Sequence, residues 1–515
     1  MSPAVLKKQT MDENTTRKPA ERDLRWLLAG IARAPAVAIE GLSTDSRTVT
    51  KGDVFLACQG ATHHGLEFVD QAVEAGAAAV LWDSNTVPQA IADDRIVMVP
   101  VAGLSGRVGE IANRWFGAPS AHIKVSGVTG TNGKTTVAWL IAQCMQRLDS
   151  ECAYMGTLGA GMAKQERQVG LTTPGCVDLH RNLAEFAARG ARHAAVEVSS
   201  HALHQNRVDG VAFDSVLFTN LSRDHIDYHG DMPSYFETKA RFILAQNVRH
   251  RIVNVDSEFG RQLFDRCPDR VVVVSTLADG DADKQAFLHM RALDRNGQGS
   301  TVAVRSSWGA EDFYLPLAGD FNIANAALVI AQLLCWDVSL ANATRALGEA
   351  SPPAGRMQRV RSEAPAAPSV FVDYAHTPAG LEAVLGTLRS HCKGELWCVF
   401  GCGGDRDRGK RRTMGETVAR LADRPVVTSD NPRSEPPGEI IRAVLSGMDE
   451  GTVAIEDRAA AIAHAISHAG VNDVVLIAGK GHEDYQLVGS VRRPFSDYQV
   501  ALRNLDARVA GGYKP

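Results

Sequence analysis

The chain has 515 residues, a length that corresponds to about three domains. It is 45% hydrophobic and 22% charged, and its formal net charge of −4 provides no basic surplus for binding nucleic acid. No run of eighteen apolar residues is present, which argues against insertion into a membrane. The expected partners are therefore small anionic molecules.

The nine cysteines are scattered without a Cys-x-x-Cys pair, a pattern typical of buried free thiols. Free thiols persist in a reducing compartment, so we expect a cytoplasmic protein, which we also expect to be monomeric. Residues 1–22 are polar and charged and lack the apolar core of a signal peptide. This stretch is predicted to be a flexible tail.

The first predicted domain, residues 23–118, begins with a helical pattern at residues 24–32 and ends with alanine-rich helical stretches. Its most informative piece is Thr44-Asp45-Ser46-Arg47, which precedes a β-like run. This cluster offers hydroxyl, guanidinium and backbone donors to a diphosphate. Asp-Ser-Arg is also a common turn with a local side-chain bond, so both interpretations stay open.

A glycine-rich motif opens the second predicted domain, residues 119–354. A β-like run leads into Gly127-Val128-Thr129-Gly130-Thr131-Asn132-Gly133-Lys134-Thr135-Thr136, and a helical pattern begins at Lys134. Glycines allow backbone N–H groups to face an anion, the helix N-terminus adds positive charge, and a threonine hydroxyl can hold Mg²⁺. The pattern is a variant of the P-loop, and its alternative is a glycine-rich turn before an ordinary helix. The predicted ATP-binding residues here are Gly127, Gly130, Thr131, Asn132, Gly133, Lys134, Thr135 and Thr136.

Strand and helix patterns alternate after this motif, which predicts a mostly parallel sheet with helices on both faces. Ligands bind beyond the carboxyl ends of such strands. Glu197 ends one predicted strand, and the next runs into Asp224-His225-Ile226-Asp227. A carboxylate, an imidazole and the Thr135 hydroxyl at neighbouring strand ends predict a divalent-metal site. His225 is favoured as a ligand, whereas His201 and His229 have no assigned role.

Three further features of this domain are ambiguous from the residues alone. Lys239 lies on a predicted helix, where a lysine is ordinarily solvated. Residues 301–304 and 312–316 alternate like an antiparallel pair. Asn322 precedes an apolar helix, so it could contact an adenine edge or cap that helix.

The third predicted domain, residues 355–515, again alternates strands and helices and is predicted to be a second doubly wound sheet. Polar loops follow four of its strands, at residues 373–376, 403–408, 430–435 and 479–483. Their arginines and acids suit a zwitterionic ligand, because guanidinium groups bind a carboxylate at two points while a glutamate pairs with an ammonium. A surface salt-bridge network is the alternative.

Six motifs, in this order, resemble the Mur ligases of peptidoglycan synthesis, especially those that add diaminopimelate. They are Gly-Thr-Asn-Gly-Lys-Thr-Thr, Glu-Val-Ser-Ser-His, Thr-Asn-Leu-x-x-Asp-His-x-Asp-Tyr-His-Gly, Gly-Asp-Phe-Asn-x-x-Asn, Asp-Tyr-Ala-His-Thr-Pro and Asp-Asn-Pro-Arg. The resemblance implies an α/β protein of three domains: a smaller N-terminal domain for the UDP substrate, a central P-loop domain with a doubly wound parallel sheet, and a C-terminal Rossmann-like domain for the amino acid.

The resemblance also implies ATP-driven amide formation assisted by Mg²⁺. The D-glutamate γ-carboxylate of UDP-N-acetylmuramoyl-L-alanyl-D-glutamate would attack the γ-phosphate of ATP to give an acyl phosphate. The amine of meso-2,6-diaminopimelate would then displace phosphate. Charge develops on phosphoryl oxygens, so positioning and cations should carry the catalysis.

Site residues follow from the resemblance, position by position. The implied catalytic residues are Lys134, His225 and Lys239. The implied metal ligands are Thr135, Glu197, His225 and Lys239, the last as a carbamylated lysine. Further ATP contacts are Asn322, Arg356, Asp373 and His376. The UDP substrate would meet Ser46, Thr172, Thr173, Ser199, Gln205 and Arg207, although Leu171 stands where some members of the family have asparagine. Diaminopimelate would meet Arg406, Asp430, Asn431, Pro432, Arg433, Gly479 and Glu483.

Two other functions compete with this assignment. Folylpolyglutamate synthetases are expected to share the fold and the ATP chemistry, but the Asp-Asn-Pro-Arg motif and the N-terminal domain argue against a folate substrate. A P-loop switch that hydrolyses ATP to move domains would need the phosphate loop and no zwitterion pocket. Phosphate release that requires both a UDP substrate and an amino acid would separate a ligase from a switch.

Overall fold

The computed structural model describes residues 22–60, 63–87, 92–162, 170–277, 286–296, 299–361 and 367–510. The predicted tail therefore lies, apart from Arg22, outside the described residues. Within these ranges, no helix has the length and apolar character that crossing a membrane requires.

Backbone proximity divides the chain into two compact units. The first extends to Ile123 and also takes in residues 173–190 and 201–212, whereas the second holds residues 124–172, 191–200 and those from Phe213 onward. The predicted limits at residues 118 and 354 stay predictions.

The N-terminal stretch forms a four-stranded, all-parallel sheet in the order β1-β2-β3-β4. The helix predicted at residues 24–32 is shorter than expected, because Gly30 adopts a left-handed φ of 77° just after it ends. The elements are α1 (Leu24–Leu27), β1 (Gly41–Ser43), β2 (Asp53–Ala57), α2 (Val69–Glu74), β3 (Ala79–Asp83), β4 (Val97–Val101) and α3 (Val108–Trp115).

The central stretch forms a sheet of ten described strands in the order β14-β13-β12-β11-β10-β9-β5-β8-β6-β7. The seven neighbouring strands β12-β11-β10-β9-β5-β8-β6 pair in parallel, which confirms the predicted mostly parallel sheet. The hairpins β6–β7, β12–β13 and β13–β14 are antiparallel, and the last of them is the predicted antiparallel pair. The elements are β5 (Lys124–Thr129), α4 (Lys134–Arg147), β6 (Cys152–Gly156), β7 (Gly159–Gly161), α5 (Cys176–Ala188), β8 (His193–Glu197), α6 (Ser200–His204), β9 (Phe213–Phe218), α7 (Ile226–His229), α8 (Met232–Ile243), β10 (His250–Asn254), α9 (Glu258–Arg266), β11 (Val271–Ser275), β12 (Phe287–Asn296), β13 (Gly299–Ser306), β14 (Gly309–Leu315), α10 (Asp320–Cys335) and α11 (Leu340–Gly348).

The C-terminal stretch forms a sheet in the order β15-β16-β20-β17-β18-β19, parallel except at β15, and a separate hairpin β21–β22. The predicted doubly wound fold is confirmed. The elements are β15 (Gln358–Arg359), β16 (Ser369–Asp373), α12 (Pro378–Arg389), β17 (Leu396–Phe400), α13 (Lys410–Leu421), β18 (Arg424–Val427), α14 (Pro437–Leu445), β19 (Val453–Ala454), α15 (Arg458–His468), β20 (Val474–Ala478), β21 (Tyr485–Val488), β22 (Val491–Pro494) and α16 (Asp497–Ala510).

Alternation along the buried strands places helices on both faces of the C-terminal sheet. Cys398 and Phe400 of β17 pack in one apolar cluster with α12, α13 and α14, whereas Trp397 and Val399 pack in another with α15 and α16. Successive side chains of a strand point to opposite faces, so one strand serves both clusters. The strand ends are left free to carry the polar loops.

Candidate active site

The phosphate loop joins strand β5 to helix α4, as predicted. Gly130 and Gly133 have φ angles of 147° and 86°, which side chains rarely permit. A Cβ at Gly130 would collide with the Thr219 hydroxyl, and one at Gly133 with the Asn325 carboxamide. Gly133 caps α4 without a side-chain bond, so the first N–H groups of the helix can face an anion.

The other residues predicted to bind ATP here lie partly in the loop and partly in the strand and helix on either side of it. Gly127 lies inside β5, where a Cβ would collide with the rings of Phe213 and Phe242, so packing explains this glycine. The backbone N–H of Asn132 donates to Asn220 Oδ1 at 3.0 Å, and Thr136 is buried in α4. The loop is thereby tied to the end of strand β9.

Lys134 folds back over the phosphate loop. Its Nζ donates to the carbonyl oxygens of Gly130 at 2.9 Å and Thr131 at 2.8 Å. Burial lowers the pKa of this ammonium, while Glu197 and Asp224 act in the opposite direction. The cation is thus held within the loop that is expected to receive phosphate.

Glu197, at the end of β8, is fully buried and gathers donors from two neighbouring segments. Its Oε2 accepts from the hydroxyls of Thr135 at 2.9 Å and Thr157 at 3.1 Å, and its Oε1 accepts from the Tyr154 hydroxyl at 2.5 Å and the Thr157 N–H at 2.9 Å. Tyr154 and Thr157 belong to the β6–β7 hairpin and were not predicted from the sequence. Only the placement of β6 beside β8 reveals their role.

Lys239 is 1% exposed, which contradicts the solvated position that a helical lysine ordinarily has. Its Nζ donates to Thr129 Oγ1 at 3.3 Å and Gly130 O at 3.0 Å, and lies 4.9 Å from the centre of the Tyr235 ring. Burial, reinforced by the charge of Lys134, holds the pKa of Lys239 well below its usual value. The lowered pKa makes loss of the proton from this amine easier.

Asp224 joins three cationic or ionisable partners. Its Oδ2 lies 3.4 Å from His225 Nε2 and 3.7 Å from His376 Nε2, and its Oδ1 lies 3.7 Å from Lys410 Nζ. Burial opposes ionisation of Asp224, but these neighbours outweigh it and hold the pKa well below its usual range. Asp224 belongs to a recognisable sequence motif, but no role was predicted for it. His225 itself has a left-handed φ of 56°.

Arg356 connects the strand ends of the central and C-terminal sheets. Its Nη2 donates to Thr135 Oγ1 at 3.0 Å, and its guanidinium lies 4.4 Å from the centre of the Tyr374 ring. His482 packs against the same ring, with 5.5 Å between ring centroids, and it hydrogen-bonds the Thr157 backbone. The polar loop at residues 479–483 is thus linked to the residues that surround Glu197.

This position of His482 predicts an acid-sensitive fold. Burial, assisted by the charge of Arg356, lowers its pKa from 6.5 to about 4. Between these pH values the unfolded chain takes up a proton that the folded chain does not, so the stabilisation is complete above pH 6.5 and decreases toward pH 4. Denaturant unfolding of His482→Gln should therefore show a weaker loss of stability below pH 6.5 than the parent. The exposed His122→Gln is the control, and equal pH dependence of His482→Gln and the parent would contradict the prediction.

The remaining predicted ATP contacts lie around this connection. Asn322 does not cap α10, since Gly319 is the N-cap and the Asn322 amide donates to Ala318 O at 2.7 Å. Asp373 is buried and accepts the N–H groups of Met357 at 2.6 Å and Ala375 at 2.7 Å, while burial raises its pKa. Asp373 therefore fixes the turn that follows Arg356.

The Asp-Asn-Pro-Arg loop is held in one conformation by its neighbours. Arg433 has a left-handed φ of 54°, and its Nη1 donates to Gly404 O at 2.7 Å. The N–H of Arg433 donates to Leu487 O, and its carbonyl accepts from Gly489 N–H, so the β21–β22 hairpin secures it on the other side. Arg406 lies exposed on the adjoining loop and contacts only the neighbouring Asp405 carbonyl among its described bonds.

A buried polar cluster lies beside Arg433. Asn431 donates from Nδ2 to Glu483 Oε2 at 2.9 Å, and the fully buried Lys480 donates to both Asn431 Oδ1 at 3.0 Å and Glu483 Oε2 at 2.8 Å. A Cβ at Gly479 would lie 2.6 Å from Asp430 Oδ2, so glycine permits this close approach. The structure therefore brings Asp430, Asn431, Pro432, Arg433, Gly479 and Glu483 together on two adjoining loops.

The residues predicted for the UDP substrate are distributed over both units. In the first unit, the Ser46 hydroxyl donates to Gln71 Oε1 at 2.8 Å, and Arg207 donates to Gln205 Oε1 at 3.0 Å and Thr173 O at 3.1 Å. In the second unit, the Thr172 hydroxyl lies 3.2 Å from the Thr157 hydroxyl, and Ser199 follows β8.

Two of the predicted metal ligands, Thr135 and Glu197, offer oxygen donors close to each other. Thr135 and Glu197 place two oxygens 2.9 Å apart, which suits a hard cation such as Mg²⁺. Over the described ranges, no three His, Cys, Asp or Glu side chains form a metal cluster. Protein oxygens alone would thus supply only part of a coordination shell, as is usual for Mg²⁺ bound together with phosphate.

Comparison with known proteins identifies the family. Residues 38–115, 128–333 and 355–481 match the domains described as the Mur ligase family catalytic domain, the Mur ligase middle domain and the Mur ligase glutamate ligase domain. A relative from Chromobacterium violaceum is 44% identical over 483 residues, covering 93% of this chain and 96% of the relative. The chain belongs to the Mur ligase family. This Mur ligase is accordingly an ATP-dependent ligase that joins an acid to an amino acid.

Two of the proteins that resemble this Mur ligase share a name, and a third has a different one. The Chromobacterium protein is a UDP-N-acetylmuramoyl-L-alanyl-D-glutamate--2,6-diaminopimelate ligase. A solved structure of a ligase with the same name aligns with a TM-score of 0.63 and 31% identity, covering 92% of this chain and 95% of its own. A Mycobacterium tuberculosis folylpolyglutamate synthase complexed with ADP and AMPPCP aligns with a TM-score of 0.57 and 20% identity, covering 80% of this chain and 96% of its own. The last likeness concerns the fold alone.

Proposed function

We propose that this Mur ligase uses ATP to join meso-2,6-diaminopimelate to the D-glutamate γ-carboxylate of UDP-N-acetylmuramoyl-L-alanyl-D-glutamate. ADP and phosphate are the other products, and the tripeptide product is a peptidoglycan precursor. The observation that carries this substrate choice is the loop of Arg433, whose guanidinium donates to the backbone carbonyls of Gly404 and Asn431, while the Asn431 side-chain amide donates to Glu483.

The amino-acid pocket suits a zwitterion with an extra carboxylate. Arg433 would bind the distal carboxylate of diaminopimelate at two points, a group that lysine lacks. Glu483 suits an ammonium, and Asn431 orients Glu483 from the neighbouring loop. Arg406, exposed on the next loop, would contact the other carboxylate.

The phosphate loop and its surroundings act on the nucleotide. Gly130 and Gly133 would let the loop approach the phosphates, and Lys134, which contacts the Gly130 carbonyl, would bring its charge to the γ-phosphate. Arg356 adds a guanidinium that already contacts the hydroxyl of Thr135. Asn322, Asp373 and His376 complete the nucleotide contacts, and Ser46, Thr172, Thr173, Ser199, Gln205 and Arg207 contact the UDP substrate.

Mg²⁺ fits the donors beside the phosphate loop. Thr135, Glu197, His225 and a carbamylated Lys239 would hold it, and when bound it would offset negative charge on the phosphates. Burial of Lys239 among neutral oxygens supports carbamylation, because only a neutral amine adds carbon dioxide. A carbamate would turn this buried amine into an anionic oxygen ligand.

The protein is further proposed to act in the cytoplasm as a monomer. All nine cysteines are free, which fits a reducing compartment. The UDP substrate and ATP are both expected there.

The test of this function is ATP-dependent phosphate release with UDP-N-acetylmuramoyl-L-alanyl-D-glutamate and either meso-2,6-diaminopimelate or L-lysine. Release that requires both substrates and strongly prefers diaminopimelate is expected. Preference for lysine would retain the ligase and refute the role of Arg433. Release that is indifferent to both substrates would favour the P-loop switch.

Arg433 offers a direct test of the amino-acid pocket. Arg433→Ala should raise KM for diaminopimelate about 10- to 100-fold, since a charge-assisted two-point contact contributes roughly 1.5–3 kcal/mol. KM for ATP should change little. Arg442→Ala, which removes an arginine from the nearby helix α14, is the control. An unchanged KM for diaminopimelate would remove Arg433 from the pocket.

A further inference from the structure

A fully buried ion pair lies beneath the two loops of the amino-acid pocket. Arg458, at the start of α15, donates from Nε to Asp497 Oδ1 at 2.7 Å and from Nη2 to Asp497 Oδ2 at 2.8 Å. The side chains of both residues are 0% exposed. This two-point geometry joins α15 to the start of α16.

The same guanidinium also reaches the backbone where the pocket loops begin. Arg458 Nη1 donates to Ser429 O at 3.2 Å, and Nη2 donates to Ala478 O at 2.9 Å. Ser429 immediately precedes Asp430, and Ala478 immediately precedes Gly479. Each carbonyl is therefore the last fixed point before a loop that contributes to the pocket.

These two loops are not neighbours in the sheet. Strand β17 lies between β18 and β20, so the strand ends are separated by two strand spacings, or about 9.6 Å. No backbone ladder joins β18 to β20 directly. Arg458 bridges this gap with a rigid, planar fork of donors.

The positive charge of Arg458 also acts on the acidic residues of the pocket. Asp430, Glu483 and Asp497 are carboxylates close to two buried cations, Arg458 and Lys480. Burial of Asp430 opposes its ionisation, but Lys480 and then Arg458 outweigh this effect and lower its pKa. Lys480 and Arg458 therefore stabilise the charged carboxylates at the base of these loops.

We propose that the Arg458–Asp497 pair is a positioning element of the amino-acid pocket, holding the loops of Asp430 and Gly479 in the mutual register that binds diaminopimelate. The proposal rests on the proposed function of that pocket. Neither residue touches the substrate. They determine the positions of the Asn431, Arg433 and Glu483 side chains, which would bind the amino acid.

Two variants separate positioning from simple stability. Arg458→Lys keeps the charge and loses the fork, and Asp497→Asn keeps the shape and loses the counter-charge. Each should raise KM for diaminopimelate roughly 10- to 100-fold, because displacements of about 1 Å can cost that much, while KM for ATP and for the UDP substrate stays within about 2-fold. If Arg458→Lys does not yield folded protein, the isosteric Asp497→Asn variant still tests the proposal.

The matched control is Leu505→Ala, which opens a cavity in the apolar cluster between α15 and α16 without touching either loop. It should lower the unfolding temperature and leave KM for diaminopimelate unchanged. Equal KM values for the parent and both pair variants, or a rise in Leu505→Ala that matches theirs, would overturn the positioning role. A parent enzyme that releases phosphate without diaminopimelate would instead refute the proposed function.

Discussion

Replacing Lys134 with alanine is expected to reduce kcat by at least about 10³-fold, because its ammonium is placed for charge that develops on the γ-phosphate in the transition state. The present contacts of Nζ with Gly130 O and Thr131 O place that charge inside the loop before any nucleotide arrives. Phosphate release under saturating substrates is the measurement.

Loss of loop structure must be separated from loss of charge in this experiment. Lys124→Ala is the matched control, since Lys124 lies on the same strand–loop–helix segment and makes only a long ion pair with Asp337 at 3.7 Å. Thermal unfolding of both variants should resemble the parent. A normal kcat in Lys134→Ala would refute the assigned role.

Lys239→Ala is expected to lower kcat about 10²-fold or more, and millimolar acetate or formate should restore part of the activity by occupying the space of the lost carbamate. The estimate follows from the loss of a metal-positioning group. The side chain is buried against the phosphate loop, so its truncation removes buried atoms where the small acid would have to bind.

Arg241→Ala tests whether any change on α8 has this effect, because Arg241 lies exposed on the same helix. Neither a loss of kcat nor a response to acetate is expected there. Intact mass without an added carbon dioxide on the parent, together with no rescue of Lys239→Ala, would count against carbamylation.

Local patterns predicted the parts of the site that lie on one stretch of chain. The phosphate loop could be predicted because a strand, three glycines, Lys134 and a helix follow one another within a few residues. The strand ends that carry Glu197 and Asp430 could be predicted because alternating strands and helices imply a parallel sheet.

Other features depend on pairings that local patterns do not encode. Tyr154 and Thr157 reach Glu197 only because β6 pairs with β8, some forty residues later. The partners of Asp224 lie at His376 and Lys410, beyond the long hairpins of the central sheet. Burial of Lys239 likewise follows from packing of α8 onto the loop side of the sheet, since helical periodicity alone leaves its surroundings open.

Neither of the two compact units is one continuous segment of the chain, which limits how the protein can be divided into fragments. The chain passes between the units after Ile123, Thr172, Gly190, Ser200 and Ala212. Helix α5 contributes Cys176 and Val177 to the apolar core of the first unit. A fragment that begins at Lys124 would carry α5 without the residues that cover it. Because each unit is assembled from separate stretches of one polypeptide, domain exchange at a single junction cannot transfer either unit whole.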